Sequence, residues 1–331
     1  MIRVAINGFG RIGRLAFRSI VTGVDFDIVA INGRGSVEEM AYLLKYDTTY
    51  RRFHEDAITN DEKNIIINNR KKIPVFNEDD AINLPWKELN VDLVIDCTGA
   101  YTEYEKAMSH IKAGAKKVLI SAPGKGEMKT IVYGVNDDTL DGSEQIVSAA
   151  SCTTNCLAPV LKVLDDNFGV ETGFMSTIHA YTNDQATLDV NYKKDYRSRR
   201  GRACAQNIIP TSAGAASAIG KVLPNLEGKL DGQAYRVPTS DGSMIDLSLK
   251  LTKNVTKEEI NDAFMRNRSE ILKVTHDPVV SSDVIGQKIG ALVDLDLTKV
   301  LPSGLVKIVA WYDNEMGYTS QMMKTAKEMF K

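Results

Sequence analysis

Through the first 150 or so residues, short and wholly apolar runs alternate with stretches whose apolar residues recur at helical spacing. Arg3-Val4-Ala5-Ile6, Asp27-Ile28-Val29-Ala30-Ile31-Asn32, Val91-Asp92-Leu93-Val94-Ile95-Asp96-Cys97, Lys117-Val118-Leu119-Ile120-Ser121 and Thr130-Ile131-Val132-Tyr133-Gly134 are short and rich in β-branched residues, the signature of strands buried on both faces. Between them a helix carries Ile12, Leu15, Ala16 and Ile20, a second covers residues 37–45, and a third contains Ala107, His110 and Ile111. Ile65-Ile66-Ile67 and Ile73-Pro74-Val75-Phe76 add strands to the same sheet. Strand–helix alternation predicts a mostly parallel sheet whose ligands gather beyond the strand carboxyl ends. Thr98, Gly99 and Ser121 fall at such ends, where glycines and hydroxyls also serve purely structural purposes.

Beyond residue 150 the pattern changes. A strand at Gln145-Ile146-Val147 leads to a helix whose apolar face is Leu157, Val160, Leu161 and Leu164, with Pro159 read as belonging to its first turns. Strands follow at Thr172-Gly173-Phe174-Met175-Ser176-Thr177-Ile178, ending at His179, and at Gln233-Ala234-Tyr235-Arg236-Val237-Pro238, then over residues 245–251, 291–296 and 305–311. Residues 207–214 read as the opening of an Ala-rich helix, and residues 321–330 as a final helix packing on the first domain. The expected fold is α/β: a mostly parallel, doubly wound domain, residues 1–151 plus 315–331, with a second α+β domain, residues 152–314, built on an antiparallel sheet.

The 331 residues suffice for two domains, and 43% hydrophobic with 25% charged residues is an ordinary globular composition. A net charge of −2 gives no reason to expect a nucleic-acid partner. No apolar run approaches the roughly 18 residues of a membrane span, and Met1-Ile2-Arg3-Val4-Ala5-Ile6 reads as a strand rather than an export signal. Four cysteines without framework spacing point to the reducing cytoplasm.

The chemistry centres on Ser148-Ala149-Ala150-Ser151-Cys152-Thr153-Thr154-Asn155-Cys156, which puts a thiol where a helix begins. A helix N-terminus carries partial positive charge and unpaired N–H donors, which favour thiolate over thiol and can hold an oxyanion. Cys152 and Cys156 alone make a poor metal site, so none is expected. Cys97, Cys156 and Cys204 read as buried structural thiols. His179, at a strand end and followed by Ala180-Tyr181-Thr182-Asn183-Asp184-Gln185, is a candidate base for Cys152, although a lone histidine is more often structural; His54, His110 and His276 lack such context.

Upstream, Gly8-Phe9-Gly10-Arg11-Ile12-Gly13 lies between the first strand and first helix. Its glycines suit a tight turn, close approach of a pyrophosphate, and helix–strand packing in turn, which makes the first domain a Rossmann dinucleotide-binding domain. About 20 residues past such a motif an NAD site usually carries an acid; here Asn32-Gly33-Arg34-Gly35 offers no carboxylate to repel a 2′-phosphate and a guanidinium to pair with one. NADP use is therefore expected beside NAD. The basic run Lys193-Lys194-Asp195-Tyr196-Arg197-Ser198-Arg199-Arg200-Gly201-Arg202, followed by Asn207-Ile208-Ile209-Pro210-Thr211-Ser212-Ala213-Gly214, suits a phosphorylated small molecule better than nucleic acid.

Taken together, Ile6-Asn7-Gly8-Phe9-Gly10-Arg11-Ile12-Gly13-Arg14, Ala150-Ser151-Cys152-Thr153-Thr154-Asn155-Cys156, His179 with Tyr181-Thr182-Asn183-Asp184-Gln185, Gln206-Asn207-Ile208-Ile209-Pro210-Thr211, Arg236-Val237-Pro238 and Trp311-Tyr312-Asp313-Asn314-Glu315 resemble the phosphorylating glyceraldehyde-3-phosphate dehydrogenases over the whole chain. The resemblance implies a two-step oxidation. Cys152 attacks the aldehyde as thiolate, His179 takes the hydroxyl proton as hydride leaves for the nicotinamide, and inorganic phosphate then cleaves the thioester to 1,3-bisphosphoglycerate. It places Thr182 and Arg236, helped by Asp184 and Arg200, on the phosphate of glyceraldehyde 3-phosphate, and Ser151, Thr153 and Gly214 on the attacking phosphate. Cofactor candidates are Asn7, Gly8, Gly10, Gly13, Gly33 and Arg34, joined by Arg11 and Ile12 near the pyrophosphate, Thr98 and Ser121 along the dinucleotide, and Asn314 at the carboxamide. A homotetramer is also implied, with residues 181–206 reaching a neighbouring subunit's cofactor.

Departures from the family pattern bear on selectivity. Gly33 stands in place of the ribose-binding Asp, Asp79 in place of an arginine near the adenine, Val190-Asn191 in place of Leu-Pro with Lys194 and Arg197 free to reposition, Ala149 in place of an Asn, and Ala213 in place of a phosphate-binding threonine. One lost hydroxyl removes about 0.5–1.5 kcal/mol of phosphate binding. Three alternatives remain at this level: erythrose-4-phosphate dehydrogenase, disfavoured by Thr182 and Asp184, a non-catalytic nucleotide-binding redox sensor using Cys152, and a surface adhesion role outside the cell, which the sequence neither supports nor excludes.

Overall fold

The structure is a computed structural model, and it describes residues 1–54, 56–192 and 195–331. Lys193 and Lys194 of the basic run therefore lie outside the described residues. The chain divides into two compact units, one of Met1–Ile131, Asp137–Ser151 and Met322–Lys331, the other of Val132–Asn136 and Cys152–Gln321.

In the first unit the order is β1 (Ile2–Asn7), α1 (Arg11–Val21), β2 (Phe26–Asn32), α2 (Val37–Lys45), β3 (Ile58–Asn60), β4 (Asn64–Ile67), β5 (Lys71–Phe76), β6 (Leu93–Asp96), α3 (Tyr104–Lys112), β7 (Lys117–Ile120), β8 (Lys129–Thr130) and β9 (Ile146–Ser148). These strands form one sheet in the order β3-β4-β5-β2-β1-β6-β7-β9-β8. From β5 to β8 the pairs are parallel, while β3-β4-β5 is an antiparallel extension. The chain leaves β1 in opposite directions toward β2 and β6, so the crevice for a ligand opens beyond the carboxyl ends of β1 and β6. The central strands read as apolar because both faces are covered: Val4, Ala5, Ile6, Val94 and Ile95 are fully buried, and Leu15, Ala16, Phe17 and Ile20 of α1 close one face.

The strand expected over residues 130–134 is cut to Lys129–Thr130. After Ile131 the backbone turns through Gly134 at φ +74°, and Val132–Asn136 joins the second unit, where Gly134 lies against Ile271 and the Tyr133 hydroxyl donates to Glu270 at 2.7 Å.

The second unit contains α4 (Cys152–Phe168), β10 (Val170–Ala180), β11 (Ile209–Ser212), α5 (Gly214–Ser217), β12 (Leu230–Val237), β13 (Ser243–Leu251), α6 (Lys257–Arg266), β14 (Leu272–Thr275), β15 (Ala291–Asp294), β16 (Lys299–Val300), β17 (Leu305–Tyr312) and the start of α7 (Met316–Glu328). The sheet runs β11-β12-β10-β13-β17-β15-β14, with β16 on β17. It is mixed rather than purely antiparallel: β10 runs parallel to β12, and β14 to β15, because long connections return each chain segment in the same direction. Alternate residues of β13, Ile245, Leu247 and Leu249, are fully buried, as a sheet with one covered face requires. The segment expected to open a helix is instead β11, whose edge position accommodates Pro210, and α5 keeps only Gly214–Ser217.

Pro159 is the eighth residue of α4, beyond the first turn, so it removes a bond to the Asn155 carbonyl. α7 starts earlier than expected because the Asp313 carboxylate accepts the N–H groups of Glu315 and Met316 at 2.9 and 2.7 Å. Gln321 Nε2 donates to the Lys288 carbonyl, so residues 315–321 group with the second unit, and the first receives only Met322–Lys331. Among the described residues no helix is long and apolar enough to cross a membrane.

Candidate active site

Cys152 is the first residue of α4, and Ala150, two residues earlier, holds the left-handed φ of +58°, an uncommon conformation for a side-chain-bearing residue and a mark of a constrained site. The Cys152 Sγ lies 3.4 Å from His179 Nε2 near the end of β10. His179 Nδ1 is 2.7 Å from the Ala180 carbonyl. A carbonyl only accepts, so Nδ1 carries the proton and the Nε2 lone pair faces the sulfur. The ring is held from the side by Tyr312, edge-on at 6.0 Å between centroids. The Tyr312 hydroxyl bridges Thr153 Oγ1 at 3.0 Å and Thr177 Oγ1 at 2.9 Å, tying the start of α4 to β10.

Burial pulls the His179 pKa down from 6.5 to about 3, with the Arg236 charge adding to the effect. Burial pushes the Cys152 thiol up, opposed by the Arg236 guanidinium and by hydrogen bonds from Thr153; the residue keeps part of its surface open. Taken singly, both shifts favour thiol and imidazole. Moving the proton within the pair creates opposite charges 3.4 Å apart, worth about 5 kcal/mol at an effective dielectric of about 20. That attraction offsets part of the cost of charging two buried groups. The geometry offers the thiol proton an acceptor in His179 Nε2 at 3.4 Å.

Beside the pair is a cluster of guanidinium and hydroxyl groups. Arg236 of β12 pairs in register with His179, and its Nη1 donates to the Ala180 carbonyl at 3.1 Å and to Thr182 Oγ1 at 2.7 Å. Thr182 donates to Asp184, which also receives Arg200; Arg200 Nε reaches Thr211 Oγ1 at 3.1 Å. Burial works to raise the Asp184 carboxyl, but the Thr182 bond and the Arg200 and Arg236 charges hold it below the usual range. Arg236 Nε and Gln185 Nε2 are buried donors without a protein partner. Two unpaired donors beside one carboxylate and two guanidiniums make a site that favours an anion with several acceptor oxygens.

Asn314 follows β17, and its Oδ1 accepts from Ser243 Oγ at 2.6 Å while Ser243 Oγ accepts the Ala180 N–H at 3.0 Å. That order commits the Asn314 oxygen to Ser243. Gly214 opens α5, where a Cβ would meet nothing within 4 Å. Ser151 directly precedes Cys152 in the chain.

In the first unit each glycine of the motif has its own reason. Gly8, at φ +93°, lies so close to the Cys97–Thr98 peptide that a Cβ would sit 2.8 Å from it, and a Cβ on Gly13 would overlap the Gly8 carbonyl oxygen. Gly10 faces open space. It is the N-cap of α1, whose first turn has no side-chain cap and no acidic residue, so the helix end is available to an anion such as a pyrophosphate. Gly13→Ala is therefore expected to destabilise the fold by about 1–3 kcal/mol, and Gly10→Ala to leave stability within about 0.5 kcal/mol while weakening NAD binding. Chemical denaturation and a dinucleotide titration check the pair, and equal losses of stability would contradict the assignment. Arg11, beside Ile12, is ion-paired with Asp47, and Ser121 N–H donates to the Asp96 carbonyl at 2.9 Å. A Cβ at Gly33 would meet Met40 Cε at 3.1 Å and Phe9 Cβ at 3.3 Å, so Met40 fills the room a longer side chain needs. Arg34 is paired with Asp79 at 2.9 Å, both exposed. Burial, then Asp96, pushes the Cys97 thiol up to about 12, and burial likewise raises Cys156, so both are unreactive.

The model for "Glyceraldehyde 3-phosphate dehydrogenase, NAD binding domain" matches residues 2–104, and that for "Glyceraldehyde 3-phosphate dehydrogenase, C-terminal domain" matches residues 151–314. A glyceraldehyde-3-phosphate dehydrogenase of Clostridium pasteurianum is 52% identical over 335 residues, covering 100% of this chain and 99% of that protein. The chain belongs to the glyceraldehyde-3-phosphate dehydrogenase family. A glyceraldehyde-3-phosphate dehydrogenase of Clostridium acetobutylicum is 51% identical, with 98% of this chain and 97% of that one aligned. Glyceraldehyde-3-phosphate dehydrogenase 2 of Bacillus subtilis is 47% identical, over 97% of this chain and 95% of its own.

The second unit brings together Cys152 and His179, which stand out by their local context, and Thr182, Asp184, Arg200 and Arg236, which the resemblance implies. Other participants had no assigned role in the sequence. Tyr312 and Gln185 stand inside quoted motifs with nothing to set them apart, and Ser243 opens a strand read only for its apolar alternation. Asn7 was expected at the cofactor, yet its side chain is buried and bonded to Asp96 and Asn32.

Proposed function

We propose that this protein oxidises glyceraldehyde 3-phosphate with phosphorylation to 1,3-bisphosphoglycerate. What carries the reading is the Cys152 Sγ at 3.4 Å from His179 Nε2, with the Nδ1 proton committed to the Ala180 carbonyl. His179 accepts the thiol proton at Nε2, the thiolate adds to the aldehyde carbon, and Nε2 returns that proton to the developing alkoxide to give a hemithioacetal. The same nitrogen then takes the hydroxyl proton as the carbon becomes a thioester. The nicotinamide, when bound, accepts the hydride. Arg236 and Thr182, oriented by Asp184 and Arg200, hold the substrate phosphate. Ser151, Thr153 and Gly214 receive the phosphate that attacks the thioester, with Ala213 leaving it one hydroxyl short.

Gly8, Gly10, Arg11, Ile12 and Gly13 hold the pyrophosphate, Thr98 and Ser121 flank the dinucleotide, and the Asn314 amide nitrogen meets the carboxamide. NAD is the cofactor the family model names. NADP is used as well: Gly33 offers no carboxylate to oppose a 2′-phosphate, and Arg34 pairs with it once Asp79 is displaced. The enzyme works in the cytoplasm as a homotetramer. Exposed Phe174, Tyr196 and Ile208 in the second unit suit burial against other subunits, and light scattering of the purified protein tests the tetramer. The relatives' shared name leaves erythrose-4-phosphate dehydrogenase and the redox sensor unsupported.

Phosphate-dependent reduction of NAD and of NADP by glyceraldehyde 3-phosphate, measured in parallel, tests the activity. Absence of reduction with either refutes it, and activity with NAD alone refutes dual use. Arg236→Lys keeps the charge but loses the planar fork and the Nε donor. It is expected to raise the KM for the aldehyde at least about tenfold, and an unchanged KM would remove Arg236 from the phosphate site.

A further inference from the structure

Beneath the glycine turn, in the first unit, four polar side chains are sealed from solvent: Asn7 at the end of β1, Asn32 at the end of β2, Asp96 at the end of β6, and His110 on α3. Their hydrogen bonds have only one consistent order. Trp86 Nε1 is solely a donor and lies 3.0 Å from His110 Nδ1, so Nδ1 accepts and the proton of the neutral ring is on Nε2. Nε2 lies 3.4 Å from Asp96 Oδ2. The same oxygen takes Asn7 Nδ2 at 2.6 Å. The other Asp96 oxygen takes the Thr98 N–H at 3.2 Å and the Thr98 hydroxyl at 2.8 Å. Asn7 Oδ1 accepts Asn32 Nδ2 at 2.8 Å, and Asn32 Oδ1 accepts the Glu78 N–H at 2.9 Å. The buried carboxylate takes three hydrogen bonds, from Asn7 Nδ2 and from the Thr98 N–H and hydroxyl, and has the imidazole nitrogen beside it.

We propose that Asp96 and His110 are positioning residues for the dinucleotide: touching no cofactor themselves, they fix the turn on which Gly8 rests. Asp96 sets the 97–99 turn through Thr98, and Gly8 packs within contact of the Cys97–Thr98 peptide, closer than any side chain allows. Asn7 transmits the same constraint across β1 to Asn32, whose carbonyl accepts the Gly8 N–H at 2.8 Å. The side chain of Asn7 thus serves the cofactor at one remove. His110 closes the network from below, with its tautomer chosen by Trp86. This proposal rests on the dehydrogenase reading for the identity of the ligand.

The decisive experiment exchanges the polarity of the central bond. Asp96→Asn puts an amide where two donors, Asn7 Nδ2 and His110 Nε2–H, converge. In the purified full-length variant, calorimetric titration is expected to show NAD binding weakened at least about tenfold. The KM for NAD rises, while the KM for glyceraldehyde 3-phosphate stays at the wild-type value. The double variant Asn7→Asp/Asp96→Asn reverses donor and acceptor, and places a carboxylate near His110 Nε2, which Asn7 Nδ2 approaches at 3.3 Å. Its NAD affinity is expected to return to within about threefold of wild type. A folded Asp96→Asn protein that binds NAD normally, or a folded exchange variant no better than the single one, overturns the proposal. If neither folds, Trp86→Phe decides: it removes the indole N–H that selects the His110 tautomer, together with part of a buried ring, and unchanged NAD affinity in the folded protein counts against the network. A wild-type protein that binds no dinucleotide refutes the dehydrogenase reading instead.

Discussion

A Cys152→Ser protein is expected to fold, to bind NAD, and to form no acyl-enzyme. The hydroxyl is a far weaker acid than the thiol, and His179, already held neutral by burial, has too little basicity to ionise it. The helix N-terminus and Arg236 stabilise a negative sulfur that can exist; they cannot create an alkoxide at neutral pH. The loss in phosphate-dependent reduction is expected to reach at least about 10⁴-fold, the scale on which removing a nucleophile acts. Intact-protein mass spectrometry after mixing with aldehyde and NAD should show the acyl adduct on wild type and none on the variant. Turnover within tenfold of wild type, or an adduct surviving the substitution, would take the chemistry away from Cys152. Stability should hardly change, because the residue keeps part of its surface open and the exchange alters one atom.

Where the sequence was legible, a single physical signal dominated. β1, β2, β6 and β7 are short apolar runs buried on both faces, and a pattern that strong needs no tertiary information. The glycine turn was equally plain because three positions admit no side chain or must stay open. Elsewhere two signals competed. Residues 207–214 combine Ala, Ser and Gly, which suit a helix start, yet pairing with β12 makes Ile209–Ser212 an edge strand. Thr130-Ile131-Val132 has strand propensity, but the chain leaves the sheet after Ile131. Parallel pairing of β10 with β12 is invisible locally, since direction depends on the path of the intervening segment.

The site followed the same division. Motif recognition reached residues whose identity is fixed by reaction chemistry, but it assigned Asn7 to the ligand when its side chain is occupied by Asp96 and Asn32. Tyr312 escaped notice because nothing in a strand-end tyrosine announces that its hydroxyl will bridge Thr153 and Thr177. By charge alone, Arg34 attracts a 2′-phosphate and Asp79 repels one. In space they are one exposed ion pair, so each modulates the other, and the weakness of exposed pairs leaves Arg34 open to capture by a stronger anion.

His179→Asn should leave the fold intact and slow the reaction by roughly 10²–10⁴-fold, the usual worth of a positioned general base. Two further measurements separate this role from simple packing. Without the imidazole, Cys152 has no acceptor for its proton at 3.4 Å, and burial holds the thiol above its ordinary value. Alkylation of Cys152 by iodoacetamide, brisk at neutral pH in the wild type, should therefore become slow in the variant and rise only above about pH 9. Equal rates at pH 7 would show that the sulfur does not depend on His179. Acid stability supplies the second test. The His179 pKa is 6.5 when unfolded and about 3 in the fold, so between those values the unfolded chain binds a proton that the folded one refuses. Stability from this residue is intact above pH 6.5 and falls as the pH drops toward 3, by about 1.4 kcal/mol for each unit of difference between the two pKa values. The variant lacks that penalty, while carboxylates such as Asp184 titrate in both proteins and cancel in the comparison. Urea unfolding at pH 7 and pH 4 is expected to show a smaller acid-induced loss for His179→Asn than for wild type, and parallel losses would mean that the ring is not held neutral by its burial.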